Sequence, residues 1–184
     1  MTVRVLGGLT AAMLAASILP ANAAWHGYFN NEAGFSFNAP GEVKTTKAAY
    51  KSAIAGQRNA TLFTSVEDNV EFKVTVVEFG RTSDDSAIIK EATSAFQGKS
   101  KVLADNDARV NASYGRKLTV DLPNNGGRSM AAIYFNNNHL IEMEVTVLPA
   151  NGDPDSGDMG RFVDSLAFYV DRSDADMTEL KLMK

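Results

Sequence analysis

From Val70 to Val76 every second residue is apolar: Val70, Phe72, Val74 and Val76, with Glu71, Lys73 and Thr75 between them. A two-residue period belongs to an extended strand with one face on a core and the other toward water. The pattern returns where Leu118, Val120 and Leu122 oppose Lys117, Thr119 and Asp121. It returns again where Ile141, Met143, Val145 and Val147 oppose Glu142, Glu144 and Thr146. Three such runs demand a sheet, and a sheet with one apolar face needs a cover.

Further strands follow from weaker signals. Phe35-Ser36-Phe37-Asn38 reads as a short strand closed by Ala39-Pro40-Gly41, and residues 44–52 alternate weakly. Ala60, Leu62, Thr64 and Val66 share one side of a strand that ends at Glu67-Asp68-Asn69. At Val76-Val77 the apolar parity switches toward Phe79, which predicts either a bulge or a strand end covered on both faces. Later strands are expected over 100–105, 114–122, 128–136 and 139–148. Met130 to Phe135 is apolar on both parities and so belongs in the middle of the sheet. Pro123-Asn124-Asn125-Gly126-Gly127 and Asn136-Asn137-Asn138 supply turns, with Gly126-Gly127 read as a hairpin rather than a phosphate cradle.

Two segments carry the helical period instead. Ile88, Ile89, Ala92, Ala95 and Phe96 form one stripe, with Thr82 or Ser83 as the expected cap, Asp84 and Asp85 in the first turn, and Gly98 as the stop. Asp153-Pro154 reads as the start of a second helix, whose stripe is Met159, Phe162, Val163 and Leu166. Ser165 to Val170 suggests a last short strand. The expectation is an α+β domain: a single, mainly antiparallel sheet with two principal helices packed on it, over 24–170, followed by a tail at 171–184.

The first 23 residues have the layout of an export leader. One charge, Arg4, precedes an apolar run from Val5 to Leu19, then Pro20 and the small-residue site Ala21-Asn22-Ala23. Cleavage is expected before Ala24, because about 15 apolar residues fall short of the roughly 20 that span a bilayer. The mature chain then has no stable membrane insertion and is periplasmic or secreted. Losing Arg4 takes the formal charge from −4 to −5, which argues against nucleic acid as a partner. The chain has no cysteine. That excludes an acylated anchor and suits an oxidising compartment.

Gly34-Phe35-Ser36-Phe37-Asn38-Ala39-Pro40 near the mature start, the strand meander, the mid-chain helix and the closing Arg161-Phe162-Val163-Asp164-Ser165-Leu166-Ala167-Phe168 together resemble the fold shared by the PsbP and Mog1 families. The chain is also similar to small exported bacterial proteins with the same opening and closing. The likeness spans about 35–170 in order of elements and implies the fold. The partner-specific surfaces behind the photosynthetic role of PsbP and the nuclear-transport role of Mog1 have no match here, so no function comes with it.

Candidate chemistry is sparse. Only His26 and His139 could serve as imidazole bases or ligands, and neither stands in a nucleophile motif. Two histidines without thiolates are too few for a structural zinc site. Asp153, Asp155 and Asp158 concentrate hard oxygen ligands and make calcium the one metal to consider. Against an EF-hand loop, however, Ser156 stands where glycine is wanted and Phe162 where the bidentate glutamate belongs, so helix capping is the preferred role. Glu67-Asp68 and Asp105-Asn106-Asp107 could supply paired acids for a hydrolase but read as solvated turns. Trp25, Tyr28, Phe29, Phe35 and Phe37 are the densest aromatic group, and Trp25, Tyr28 and Phe29 are the candidates for a docking face. The expectation is a non-catalytic binding or accessory protein of the bacterial envelope that needs no cofactor and takes an envelope protein or a small apolar ligand. A loop-carboxylate hydrolase and a calcium-binding module are the alternatives.

Overall fold

The computed structural model describes residues 24–80 and 84–169. The expected leader, the tail at 171–184 and the caps Thr82 and Ser83 lie outside them. The strands are β1 (Trp25–Asn30), β2 (Phe35–Pro40), β3 (Lys44–Ser52), β4 (Gly56–Glu67) and β5 (Val70–Glu78), then β6 (Lys101–Val110), β7 (Ser113–Asp121), β8 (Arg128–Asn136), β9 (His139–Val147) and β10 (Ala167–Phe168). Helix α1 (Asp85–Gln97) separates β5 from β6, and α2 (Gly157–Val163) precedes β10.

The expected single sheet is two sheets. Seven strands pair antiparallel in the order β3-β4-β5-β9-β8-β7-β6, and a separate sheet has the order β1-β2-β10. Alternation tells which face of a strand is buried, but not which strand it pairs with, so the sequence pattern could not separate the two sheets. Nor do the helices share a face. Ile88 and Ala92 of α1 pack with Val77, Ala131, Ile133 and Leu140 on one side of the large sheet. On the other side Met159, Phe162 and Val163 of α2, with Phe35 and Phe37 of β2, cover Phe72, Val74, Ile141 and Met143. The parity switch at Val76-Val77 is this two-sided cover, because the β5 register runs unbroken against both β4 and β9.

Local chemistry explains most element ends. Asp84 caps α1, its carboxylate accepting the Ala87 N–H at 2.9 Å. The β4–β5 and β8–β9 hairpins turn on Asp68-Asn69 and Asn137-Asn138, all four at positive φ, as a two-residue turn matched to strand twist requires. Gly127 closes the β7–β8 connection at φ +98°, where an added Cβ would stand 2.1 Å from the Val147 carbonyl oxygen. The second helix begins at Gly157 with Ser156 as its cap, not at Asp153-Pro154. Asp153 instead accepts the Asp155 N–H at 2.9 Å and Asp155 pairs with Arg128, which holds 153–155 as a turn.

One strand is longer than its residue pattern predicts. The segment expected at 100–105 runs on to Val110, and Asp105-Asn106-Asp107 lie within it rather than in a turn. As the outer strand of the sheet, β6 is exposed along most of its length and shows no apolar period. Arg116 on the adjacent β7 pairs with both Asp105 and Asp107.

Trp25 sits edge-on to Phe72 with ring centroids 5.7 Å apart, and the Arg161 guanidinium lies 4.0 Å above its ring. Trp25→Ala should therefore cost about 2–3 kcal/mol and lower the melting temperature by roughly 5–10 °C. An unchanged melting curve would show that β1 is not part of the fold's support.

Candidate functional site

Helix α1 lies over β8 and β7. Between its Ala92, Ala95 and Phe96 and the sheet is a cleft of about 270 Å³. Its sheet wall carries Tyr50 of β3, Ala131 and Ile133 of β8, and Glu142 and Glu144 of β9. Small side chains open the space: Ala92, Ala95 and Ala131 stand where larger residues would fill it.

Strand register dictates which groups meet there. Glu142 lies between Thr75 of β5 and Ile133 of β8, and Glu144 between Lys73 and Ala131. The Tyr50 hydroxyl reaches across from β3 and donates to Glu142 Oε1 at 3.0 Å. Lys73 pairs with Glu144 at 2.6 Å. Glu91 of α1 accepts from the Ser52 hydroxyl at 2.8 Å and from the Ala53 N–H, which fastens the β3–β4 turn to the helix and fixes that end of the cleft. Burial pushes the Glu142 carboxyl up to about 7, with Glu144 adding to the shift, while the Tyr50 hydrogen bond and Lys73 oppose it. The Tyr50 hydroxyl is raised too, by burial first and then by the charges of Glu142 and Glu91. A carboxyl that titrates near neutrality in a half-apolar hollow is the kind of perturbation that gathers at functional sites.

Larger hollows exist, and in two of them the arginine is already engaged. One of about 470 Å³ runs beside Pro149. Its Arg128 is held by Asp121 at 2.9 Å and by Asp155. Another, of about 510 Å³ between α1 and β6–β7, contains the Arg116 that Asp105 and Asp107 bracket.

The residues singled out from sequence are placed elsewhere. His26 is exposed on β1, and His139 sits at the start of β9 with Nδ1 2.7 Å from the Asn137 carbonyl, facing Glu78 across the ladder. Asp153, Asp155 and Asp158 follow one another around the turn into α2. Among the described residues no three His, Cys, Asp or Glu side chains gather to hold a metal. Glu67 ends β4 and Asp68 lies in the exposed turn after it. Tyr28 stacks on Phe37 at 5.4 Å and donates to the Gly41 carbonyl at 2.6 Å. Phe29, on the other side of β1, is 40% exposed and stacks on Tyr169.

Sequence reasoning missed Tyr50, Glu91, Glu142 and Glu144 as a group. A signal was present. Met130 to Phe135 is apolar on both parities, so the polar face of any strand paired with it had to be partly covered as well.

No protein-family model and no curated protein matches the chain. Among solved structures it is similar to the solution structure of cyanobacterial PsbP (CyanoP) from Synechocystis, with a TM-score of 0.57 and 12% identity over 86% of this chain and 98% of that one. The chain therefore has a PsbP-like α+β fold. At that identity the likeness carries the fold alone.

The raised carboxyl has a consequence for stability. A native carboxyl above its unfolded value holds its proton more tightly than the unfolded chain does, so its contribution falls as pH rises from about 4.5 through about 7. Glu142→Gln should therefore be more stable than the parent at pH 8, by up to about 3 kcal/mol, and the difference should shrink toward pH 4.5. A difference that is flat in pH, measured by denaturant melts, would remove Glu142 as the titrating group.

Proposed function

We propose that this chain is an exported, non-catalytic binding or accessory protein of the bacterial envelope, and that its working surface is the cleft between α1 and the large sheet. The observation that carries this reading is the cleft itself: an existing hollow with an apolar wall and a few convergent polar groups, the usual form of a binding site. Export is supported by the leader pattern of residues 1–23, the layout of a segment that directs a chain to the periplasm or outside the cell. An envelope protein segment or a small, largely apolar ligand is the kind of occupant such a hollow takes.

A second reading, a carboxylate-dependent hydrolase, draws on one observation. Glu142 keeps its proton near neutrality beside Glu144, as a general acid must. The acids involved are on β9, not on the loops where the sequence suggested them.

The full chain, expressed in a bacterium, should yield a mature species that begins at Ala24 in the periplasmic or secreted fraction. Used as bait for native envelope extract, it should retain a component that an Ala95→Trp variant, with its cleft filled, loses. Cytoplasmic uncleaved protein would contradict the export reading. Equal recovery by both baits, or none by either, would contradict the cleft as the working surface.

A further inference from the structure

Glu142 is the one carboxylate lining the cleft that has no direct ion pair among the described residues. Two carboxylates line it, Glu142 and Glu144 from β9, and Glu91 of α1 lies nearby on Ser52. Glu144 has Lys73, and Glu91 is taken up by Ser52 and Ala53. Glu142 receives one hydrogen bond from the described residues, at Oε1 from Tyr50. Lys51 lines the cleft from β3, and Arg58, directly opposite Tyr50 on β4, lies on the same side of the sheet. Neither pairs with Glu142, and β8 contributes only Ala131 and Ile133. Glu142 thus has one hydrogen bond and no direct ion pair, Lys73 acting on it only at longer range, and it stands beside an apolar wall of Ala92, Ala95, Phe96 and Ile133.

We propose that the cleft binds a small organic cation, a primary ammonium seated on Glu142 with its apolar body against Phe96, Ala95 and Ile133. This deepens the reading of the cleft as the binding surface and rests on it. An ammonium offers donors to the second Glu142 oxygen and a full positive charge where burial has made the carboxylate costly. The hydroxyl of Tyr50 holds the first oxygen and so fixes the carboxylate plane. At about 270 Å³ the space falls just under the roughly 300–1,000 Å³ of drug-sized pockets, which fits an aryl or short alkyl amine and not a folded segment. An anion would meet two carboxylates on the sheet wall, and a neutral isostere would leave Glu142 without a direct cationic partner.

The proton on Glu142 gives the site a recognisable pH dependence. An ammonium with a pKa near that of lysine stays charged from pH 6 to 8, whereas a carboxyl titrating near 7 goes from mostly protonated to mostly ionised over that range. Affinity should therefore rise about tenfold from pH 6 to pH 8, with proton release on binding below pH 7.

The test uses the mature chain from Ala24 and three matched probes, 2-phenylethylamine, 2-phenylethanol and 3-phenylpropionate, titrated while the methyl resonances of Ala92, Ala95, Ala131 and Ile133 are followed by NMR. The expected result is saturable millimolar binding of the amine that shifts these methyls and strengthens with pH. The alcohol should bind at least tenfold more weakly and the acid not measurably. Glu142→Gln should keep the fold and lose the pH dependence with most of the affinity. Ala95→Trp, at an exposed helix position, should abolish binding by filling the space. Equal binding of amine and alcohol, no saturation by the amine, or an unaltered titration in Glu142→Gln would overturn the proposal. None of those outcomes touches the envelope capture lost on filling the cleft, so failure of the ligand class and failure of the cleft as the binding surface are distinguishable.

Discussion

Strand β8 and the paired ends of β5 and β9 at Val76-Val77 and Leu140-Ile141 are apolar on both faces, and the rest of the molecule is arranged to keep water from both. Val74 and Val77, three positions apart, lie on opposite faces of β5 and both are fully buried; the adjacent Leu140 and Ile141 do the same on β9. A sheet patterned this way cannot be satisfied by one cover. It needs α1 on one side and, on the other, a layer wide enough to span several strands, which a single seven-residue helix cannot supply. The second, three-stranded sheet completes that layer. Phe162 of α2 meets Phe72 of the large sheet edge-on at 5.2 Å and Phe37 of the small sheet at 6.4 Å, so one ring ties the helix to both sheets. Contacts of this geometry contribute about 0.5–1.5 kcal/mol each beyond the area they bury.

The cleft is a consequence of how narrow the other cover is. A thirteen-residue helix shields the β7–β8 half of its face, and the remainder of that face must be polar enough to meet water. The boundary between the two regimes falls on β9, where Glu142 and Glu144 adjoin the doubly apolar β8. Glu142 is on the dry side of that line. Its burial is a local conflict with the fold, and such conflicts are where proteins give up stability for a task. The Tyr50 hydrogen bond reduces the conflict without removing it.

Much of the architecture was legible from residue order. The alternations at 70–76, 118–122 and 141–147 are strands, the stripe from Ile88 to Phe96 is α1, and the PsbP-like fold followed from short opening and closing segments. What the sequence hid has identifiable causes. Alternation fixes faces and not partners, so it does not divide the strands between two sheets. Strand β6 was cut short because an outer strand has no dry face to impose a period. The start of α2 lies beyond the Asp153-Pro154 pair because the Asp153 carboxylate accepts the Asp155 N–H and Arg128, far away in the chain, holds Asp155, so that 153–155 is a turn. The cleft was invisible for the same kind of reason. Tyr50, Glu91 and Glu142 come from a weak edge strand, a helix and a central strand, and only register brings them together.

Native-state hydrogen exchange tests the two-sided core most directly. If β5, β8 and β9 are the shared floor of both layers, the amides of Val74, Val76, Ile133 and Met143 should exchange only through global unfolding. Hydrogen-bonded amides of the outer strands β3 and β6 should open by smaller, local events and exchange faster. Exchange of the central amides at the rate of the outer ones, or earlier, would show that the sheet is not held from both faces and would contradict the architecture on which the cleft depends.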